Sequence, residues 1–140
     1  MTTKIQIAIF CGFNILFVLA CQTNSEVKKN QYFAEGLALY KVHCANCHQL
    51  DGTGLEDLYP PISADILKKN GRQVICWMQN GLNDSLIVNG KKYTQKMPAN
   101  PNLQPLELAE LATFIQNKWG GSEVVTDIEE VKLALKSCKK

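Results

Sequence analysis

Cys44-Ala45-Asn46-Cys47-His48 is the stretch from which the rest of the chain can be read. Two cysteines three residues apart lie on one face of a helical turn, and a histidine follows at once. Thiols at that spacing can each bond one vinyl group on the same edge of a porphyrin. The histidine then lies over one face of the ring and can coordinate the iron. C-x-x-C-H is the attachment signature of a covalent haem c. Phe33, Leu37, Tyr40, Cys44 and Cys47 recur at helical spacing, which predicts a helix from about Gln31 to Asn46. A thioredoxin-like redox pair would instead follow a strand and open a helix. A zinc site would need a second ligand pair at short spacing, and Cys76 and Cys138 are too far apart to supply one.

Upstream, Met1 to Lys4 carries one positive charge, and Ile5 to Ala20 is mostly apolar, interrupted by Gln6 and Asn14. A charged start, an apolar middle and a small residue before the boundary describe an export signal. Cys21 directly after Ala20 makes it resemble a bacterial lipoprotein signal, in which that cysteine is lipidated and becomes the new N-terminus. The other reading is an uncleaved anchor helix, for which sixteen interrupted residues are short. Both place the remainder outside the cytoplasm and beside a membrane. Residues 22–30 are polar, carry no core pattern and read as a tether.

Downstream, Asp51-Gly52-Thr53-Gly54 and Tyr59-Pro60-Pro61 belong to a loop. Ser63 to Lys69 reads as a short helix, and a further helix runs from Gly71 to near Gly81. Asn89-Gly90 between Leu86-Ile87-Val88 and Lys91-Lys92-Tyr93 is a hairpin signal, because both turn residues tolerate positive φ. Pro105 opens a helix where its missing N–H costs nothing. Leu108, Leu111, Ala112, Ile115 and Trp119 form that helix's inward stripe, and Gly120-Gly121 ends it. Asp127 and Glu130 resemble a capping box before a last helix with Ile128, Val131 and Leu135 inward.

An iron held by His48 needs a sixth ligand or an open site. His43 precedes Cys44 on the same helix and cannot reach the other face of the ring. Met78 lies in an apolar helical stretch and reads as core or pocket wall. Met97 sits in a loop stiffened by Pro98 and is the candidate ligand; the alternative is a core methionine filling a gap. Thioether sulfur favours ferrous iron and raises the reduction potential. Two protein ligands leave no site for a substrate, which argues against an enzyme.

From about Phe33 to Trp119 the chain resembles a monohaem class I cytochrome c. Gly36 and Tyr40 stand eight and four residues before Cys44, where the family has the glycine and aromatic of its first helix. Leu111 and Phe114 match the residues that the last helix brings to that crossing. Tyr59-Pro60-Pro61-Ile62 looks like the segment whose proline carbonyl accepts a hydrogen bond from the ligand imidazole, with Pro60 favoured over Pro61. Met97-Pro98 matches the distal ligand loop. Two departures stand out: the extension Ser122 to Lys140, and Gln104, a poor N-cap where Ser or Thr is usual.

Six cysteines are many for 140 residues, and export with haem attachment explains most of them. Cys11 leaves with the signal, Cys21 takes lipid, and Cys44 and Cys47 take haem. Cys76 and Cys138 remain as an even pair in an oxidising compartment, either bonded or as two unrelated thiols. Trp77 and Tyr93 either line the pocket or bond haem propionates, or are plain core. Lys91, Lys92 and Lys96 lead into the Met97 loop, where they either steer an acidic redox partner or coat a solvated hairpin. Fifteen basic and thirteen acidic residues leave a net charge of only +2, so nucleic acid is not demanded; without the signal's Lys4 and with two haem propionates the balance is near zero, so long-range steering is weak. Hydrophobic residues at 46% and charged ones at 20% fit an ordinary globular protein.

The fold expected is therefore all-α: helices around one covalent haem, a small β-hairpin before the methionine loop, and an extra C-terminal helix. The segments are a lipoprotein signal over 1–20, a lipid-anchored tether over 21–30, a cytochrome c domain over 31–121 and a packed extension over 122–140. The function implied is single-electron transfer between exported respiratory redox proteins, on the periplasmic side of a bacterial membrane. The alternative is a haem sensor or haem enzyme subunit with an open or labile sixth site. Haem staining after denaturation separates both from a thiol or zinc module: covalent haem stays with the chain, and a colourless denatured chain excludes it.

Overall fold

The computed structural model describes residues 24–138. The expected signal over 1–20 and the expected lipidation residue Cys21 lie outside the described residues. The elements in chain order are α1 (Asn24–His43), α2 (Ala45–His48), α3 (Ala64–Asn80), β1 (Leu86–Val88), β2 (Lys91–Tyr93), α4 (Pro105–Trp119) and α5 (Ile128–Ser137). The family fold anticipated from the sequence is the fold observed: helices around a cleft, with one two-stranded hairpin.

The architecture rests on the crossing of α1 over α4. Gly36 is buried at that crossing, and a Cβ there would stand 2.7 Å from Phe114 Cβ and collide with the Glu110 carbonyl oxygen. The missing side chain lets the two backbones approach. Phe33, Tyr40, Phe114 and Trp119 close around the contact, with ring centroids 5.1 to 5.4 Å apart in edge-on and tilted arrangements. Such aromatic pairs contribute roughly 0.5–1.5 kcal/mol each beyond their buried area. Tyr40, Leu108 and Leu111 are almost fully enclosed.

Two sequence expectations about the first helix change. The polar run 22–30 is not a tether where it is described: residues 24–30 are the first turns of α1. No proline or glycine breaks that run. Glu26 complements the helix dipole in the first turn, and Lys28 and Lys29 pair with Asp127 and Glu123. The first helix also does not run on to Asn46. The backbone leaves helical geometry at Cys44 (φ −123°, ψ −38°), and Ala45–His48 forms a separate turn.

Elsewhere the expected elements form and differ in local detail. The two helical pieces expected around residue 70 are joined as α3 across a kink at Asn70 (φ −122°, ψ 23°). The hairpin turn has positive φ at Asn89 (52°) and Gly90 (80°). Gln104 is rescued as an N-cap by Glu107, whose carboxylate accepts from the Gln104 backbone N–H at 2.7 Å. Gly121, with φ 69°, rather than Gly120 takes the left-handed position after α4. Asp127 caps α5 through the Glu129 N–H at 3.0 Å, and Glu130 takes no part in the cap.

The extension belongs to the same core. Val131 and Ala134 are fully buried within the main apolar cluster. Thr113, buried in α4, donates to the Ala109 carbonyl and accepts from the Thr126 N–H. The Cys76 and Cys138 sulfurs are bonded, tying α3 to the end of α5. Gly36→Ala should cost about 1–3 kcal/mol through forced separation of α1 and α4. Urea unfolding measures it; an unchanged midpoint would mean that the crossing tolerates a methyl group.

Candidate functional site

The bend at Cys44 delivers the motif to the cleft. Cys44, Cys47 and His48 all line one cleft, together with Pro60, Trp77, Tyr93 and Met97. The structure thus brings together every cofactor-binding residue expected from the sequence. The cleft's empty volume, mouth included, is about 1110 Å³. Its walls are mostly apolar, supplied by Ile62, Leu67, Val74 and Ile115 among others. Among the described residues, Cys44 and Cys47 are the cysteines outside a disulfide. No group of three or more His, Cys, Asp or Glu side chains among those residues could hold a metal ion. Two free thiols beside one imidazole in an apolar cleft fit a covalent porphyrin and lack the four ligands of a structural zinc.

His48 is fixed from behind. Its Nδ1 stands 2.9 Å from the Pro60 carbonyl oxygen. A carbonyl can only accept, so Nδ1 carries the hydrogen and the lone pair of the neutral ring lies on Nε2. Burial pushes the His48 pKa below its usual value, and the bond to Pro60 pulls the other way. The net shift favours the neutral imidazole that ligates metal. Burial, and then the neighbouring Cys47, push the free Cys44 thiol up to about 12. Tyr40 is likewise raised, by burial first and then by Cys44 and Asp51.

The Pro60 carbonyl is held by a folded-back loop. The Gly54 N–H donates to the His48 carbonyl at 3.0 Å, and the Ile62 N–H donates to the Gly52 carbonyl at 2.8 Å. Gly54 has φ 74°, and a Cβ there would lie 2.6 Å from the Pro60 carbonyl carbon and against the Tyr59 oxygen. Gln49, directly after His48, sits at φ 62°, and its carbonyl accepts from the Tyr40 hydroxyl at 2.6 Å. The Trp119 indole N–H donates to the Asp51 carbonyl at 3.1 Å. The aromatic crossing and the histidine loop are thus one connected unit.

Met97 is held on the other segment. It exchanges two backbone hydrogen bonds with Leu82, at 2.9 and 3.0 Å. Gly81 (φ 76°) permits that approach, because a Cβ there would stand 2.6 Å from the Met97 oxygen. Asn100 ties the same loop to the end of α3, through Met78 O at 3.3 Å and Gln79 O at 3.1 Å. Met78 also lines the cleft, from within α3. Lys91 joins the hairpin to the other loop by its pair with Asp57 and its contact with the Glu56 carbonyl.

Several of these residues escaped sequence reasoning. Gly54, Gly81, Gln49 and Asn100 act through backbone geometry or long-range hydrogen bonds. Gly-x-Gly at 52–54 marked only a loop, and Gly81 only the end of a helix.

The sequence model of the family described as Cytochrome c matches residues 33–119. Cytochrome c-552 of Thermus thermophilus is 33% identical over 109 residues, covering 71% of this chain and 82% of the relative. A second cytochrome c-552, from a named strain of the same species, is also 33% identical over 109 residues, with 73% of its length covered.

Gly54→Ala tests the support of His48. The strained positive φ and the clash with Tyr59 and Pro60 should cost about 1–3 kcal/mol in urea unfolding. The shifted acceptor should also speed exchange of the His48 Nδ1 proton measured by NMR. Slow exchange and an unchanged midpoint would mean that the loop yields elsewhere.

Proposed function

The chain belongs to the cytochrome c family, and from that premise we propose that it is a lipid-anchored, exported single-electron carrier with His48 and Met97 as its axial ligands. Its class is that of monohaem class I cytochromes c, which carry one covalent haem c and transfer electrons. When bound, the haem supplies one-electron Fe(III)/Fe(II) cycling. Cys44 and Cys47 hold it through two thioethers. His48 presents Nε2, because Pro60 occupies Nδ1. Met97 offers its thioether from a loop pinned to Leu82. Trp77 and Tyr93 line the same cleft, and their indole N–H and hydroxyl would be available as donors to the propionates.

The observation that carries this reading is the pairing of a carbonyl-fixed His48 with a backbone-pinned Met97 in one mostly apolar cleft. A carrier needs its ligands in place in both oxidation states, so that little reorganisation accompanies each transfer. Two backbone hydrogen bonds to Leu82 hold the Met97 segment beside the cleft, which supports a closed site over a sensor's open one. Removing the thioether from His/Met ligation lowers the reduction potential.

The export signal and Cys21 support attachment to the periplasmic side of a bacterial membrane. No helix of the described residues is long and apolar enough to cross a membrane. The partners proposed are a donor and an acceptor among exported respiratory redox proteins, oxidases or dehydrogenases included.

Optical spectra of the purified protein test the ligation. Ferric protein should show the near-infrared thioether-to-iron band, and ferrous protein should not shift under carbon monoxide. Met97→Ala should lose the band, bind carbon monoxide and fall in potential. A wild-type protein without the band that binds carbon monoxide readily would overturn the carrier reading in favour of a sensor or enzyme.

A further inference from the structure

Only Gln22 and Thr23 separate Cys21 from Asn24, the first described residue of α1. That link spans at most roughly 10 Å fully extended. α1 then runs for 20 residues, about 30 Å, without a proline, and ends at His43 beside the first haem-attachment cysteine. The proposed anchor and the cleft therefore stand at opposite ends of one rod.

The first turns of that rod are braced. Lys28 Nζ lies 3.3 Å from Asp127 Oδ2 and 5.2 Å from the centre of the Tyr32 ring. Lys29 pairs with Glu123. Exposed ion pairs contribute little one at a time. These, however, join a helix to a segment that is itself held at several points. Asn117 Nδ2 donates to the Val124 carbonyl at 3.0 Å, and the Thr126 N–H donates to Thr113 Oγ1 at 2.9 Å. Asp127 caps α5, which the Cys76–Cys138 bond ties to α3. The extension thus links α3 and α4, which wall the cleft, to the beginning of α1.

We infer that this end of the molecule, α1 residues 24–30 braced on residues 122–127, is a rigid mount seated on a lipid surface, and that it fixes the orientation of the haem cleft relative to the membrane. The inference rests on lipidation at Cys21. The occupant follows from where the chain outside the described residues leads: a lipidated Cys21 brings the bilayer within one short link of Asn24. The surface suits it. Lys28 and Lys29 pair with Asp127 and Glu123, and Glu26 adds one negative charge, so this end is close to neutral and the lipid on Cys21, not headgroup attraction, holds it at the surface. Val27 and Val124, adjacent in sequence to the paired charges, are 39% and 70% exposed. A flexible tether of similar length would let the cleft tumble through all orientations. The mount instead keeps it within roughly 40 Å of the bilayer, in reach of redox proteins held in the same membrane.

Electron paramagnetic resonance of the ferric, lipidated protein in oriented bilayers reads the orientation directly. The low-spin signals should change strongly as the sample is tilted in the field. Twelve Gly/Ser residues inserted between Thr23 and Asn24 should abolish that tilt dependence and leave the solution spectrum unchanged. Lys28→Glu with Lys29→Glu should weaken it, and adding Glu123→Lys with Asp127→Lys should restore it. Lipidated wild type whose signals ignore tilt overturns the mount alone. An N-terminal peptide whose mass shows no lipid on Cys21 overturns the anchor, and the mount with it.

Discussion

The contact on which the rest of the structure depends is the meeting of α1 and α4 at Gly36. With no Cβ in the way, the α1 backbone comes against the Glu110 carbonyl and Phe114. That approach brings Tyr40 into Phe114 and Trp119. Tyr40 then reaches down to Gln49, and Trp119 to Asp51. The loop after His48 is therefore fastened to the crossing by two hydrogen bonds from aromatic side chains, the one from Trp119 across 68 residues. A wider crossing would loosen both and release the segment that carries Pro60.

The cleft balances two demands. It must be apolar enough to hold a large hydrophobic group, and it must keep one imidazole neutral and aimed. Burial meets the first demand and also favours neutral His48. The aiming comes from a carbonyl, a polar group with no charge to bury. Met97 is handled in the same way. Its backbone, not its side chain, is held by hydrogen bonds, and the residue lines the cleft. Glycines 54 and 81 make both arrangements possible, since each lets another backbone pass where a side chain would stand.

The C-terminal extension ties these parts together from outside. Its apolar face, Val131 and Ala134, is part of the main core rather than a separate layer. Its polar residues reach the first turns of α1, and its disulfide reaches α3. A small chain around a large cleft buries less protein against protein than a solid domain of the same length. Cross-links that restrict the unfolded chain, and an added helix, offset that deficit.

The sequence by itself determined the features that local chemistry dictates. The C-x-x-C-H spacing, the Asn89-Gly90 turn, Pro105 at a helix start and the apolar stripe of α4 depend on neighbouring residues, so they are legible in a string. Their reading, joined to Gly36, Tyr40 and Met97-Pro98, was sufficient for the family and its haem. The tertiary structure alone decided which distant groups meet. It ended α1 at His43 and bent the chain at Cys44. It made residues 24–30 the first turns of α1 and set them against Glu123 and Asp127, partners nearly a hundred residues away. It rescued Gln104 through Glu107, set Gly54 beneath Pro60 and pinned Met97 to Leu82. Each of these depends on a backbone group or charge brought close by the fold, and the identity of a residue does not reveal what will be folded against it.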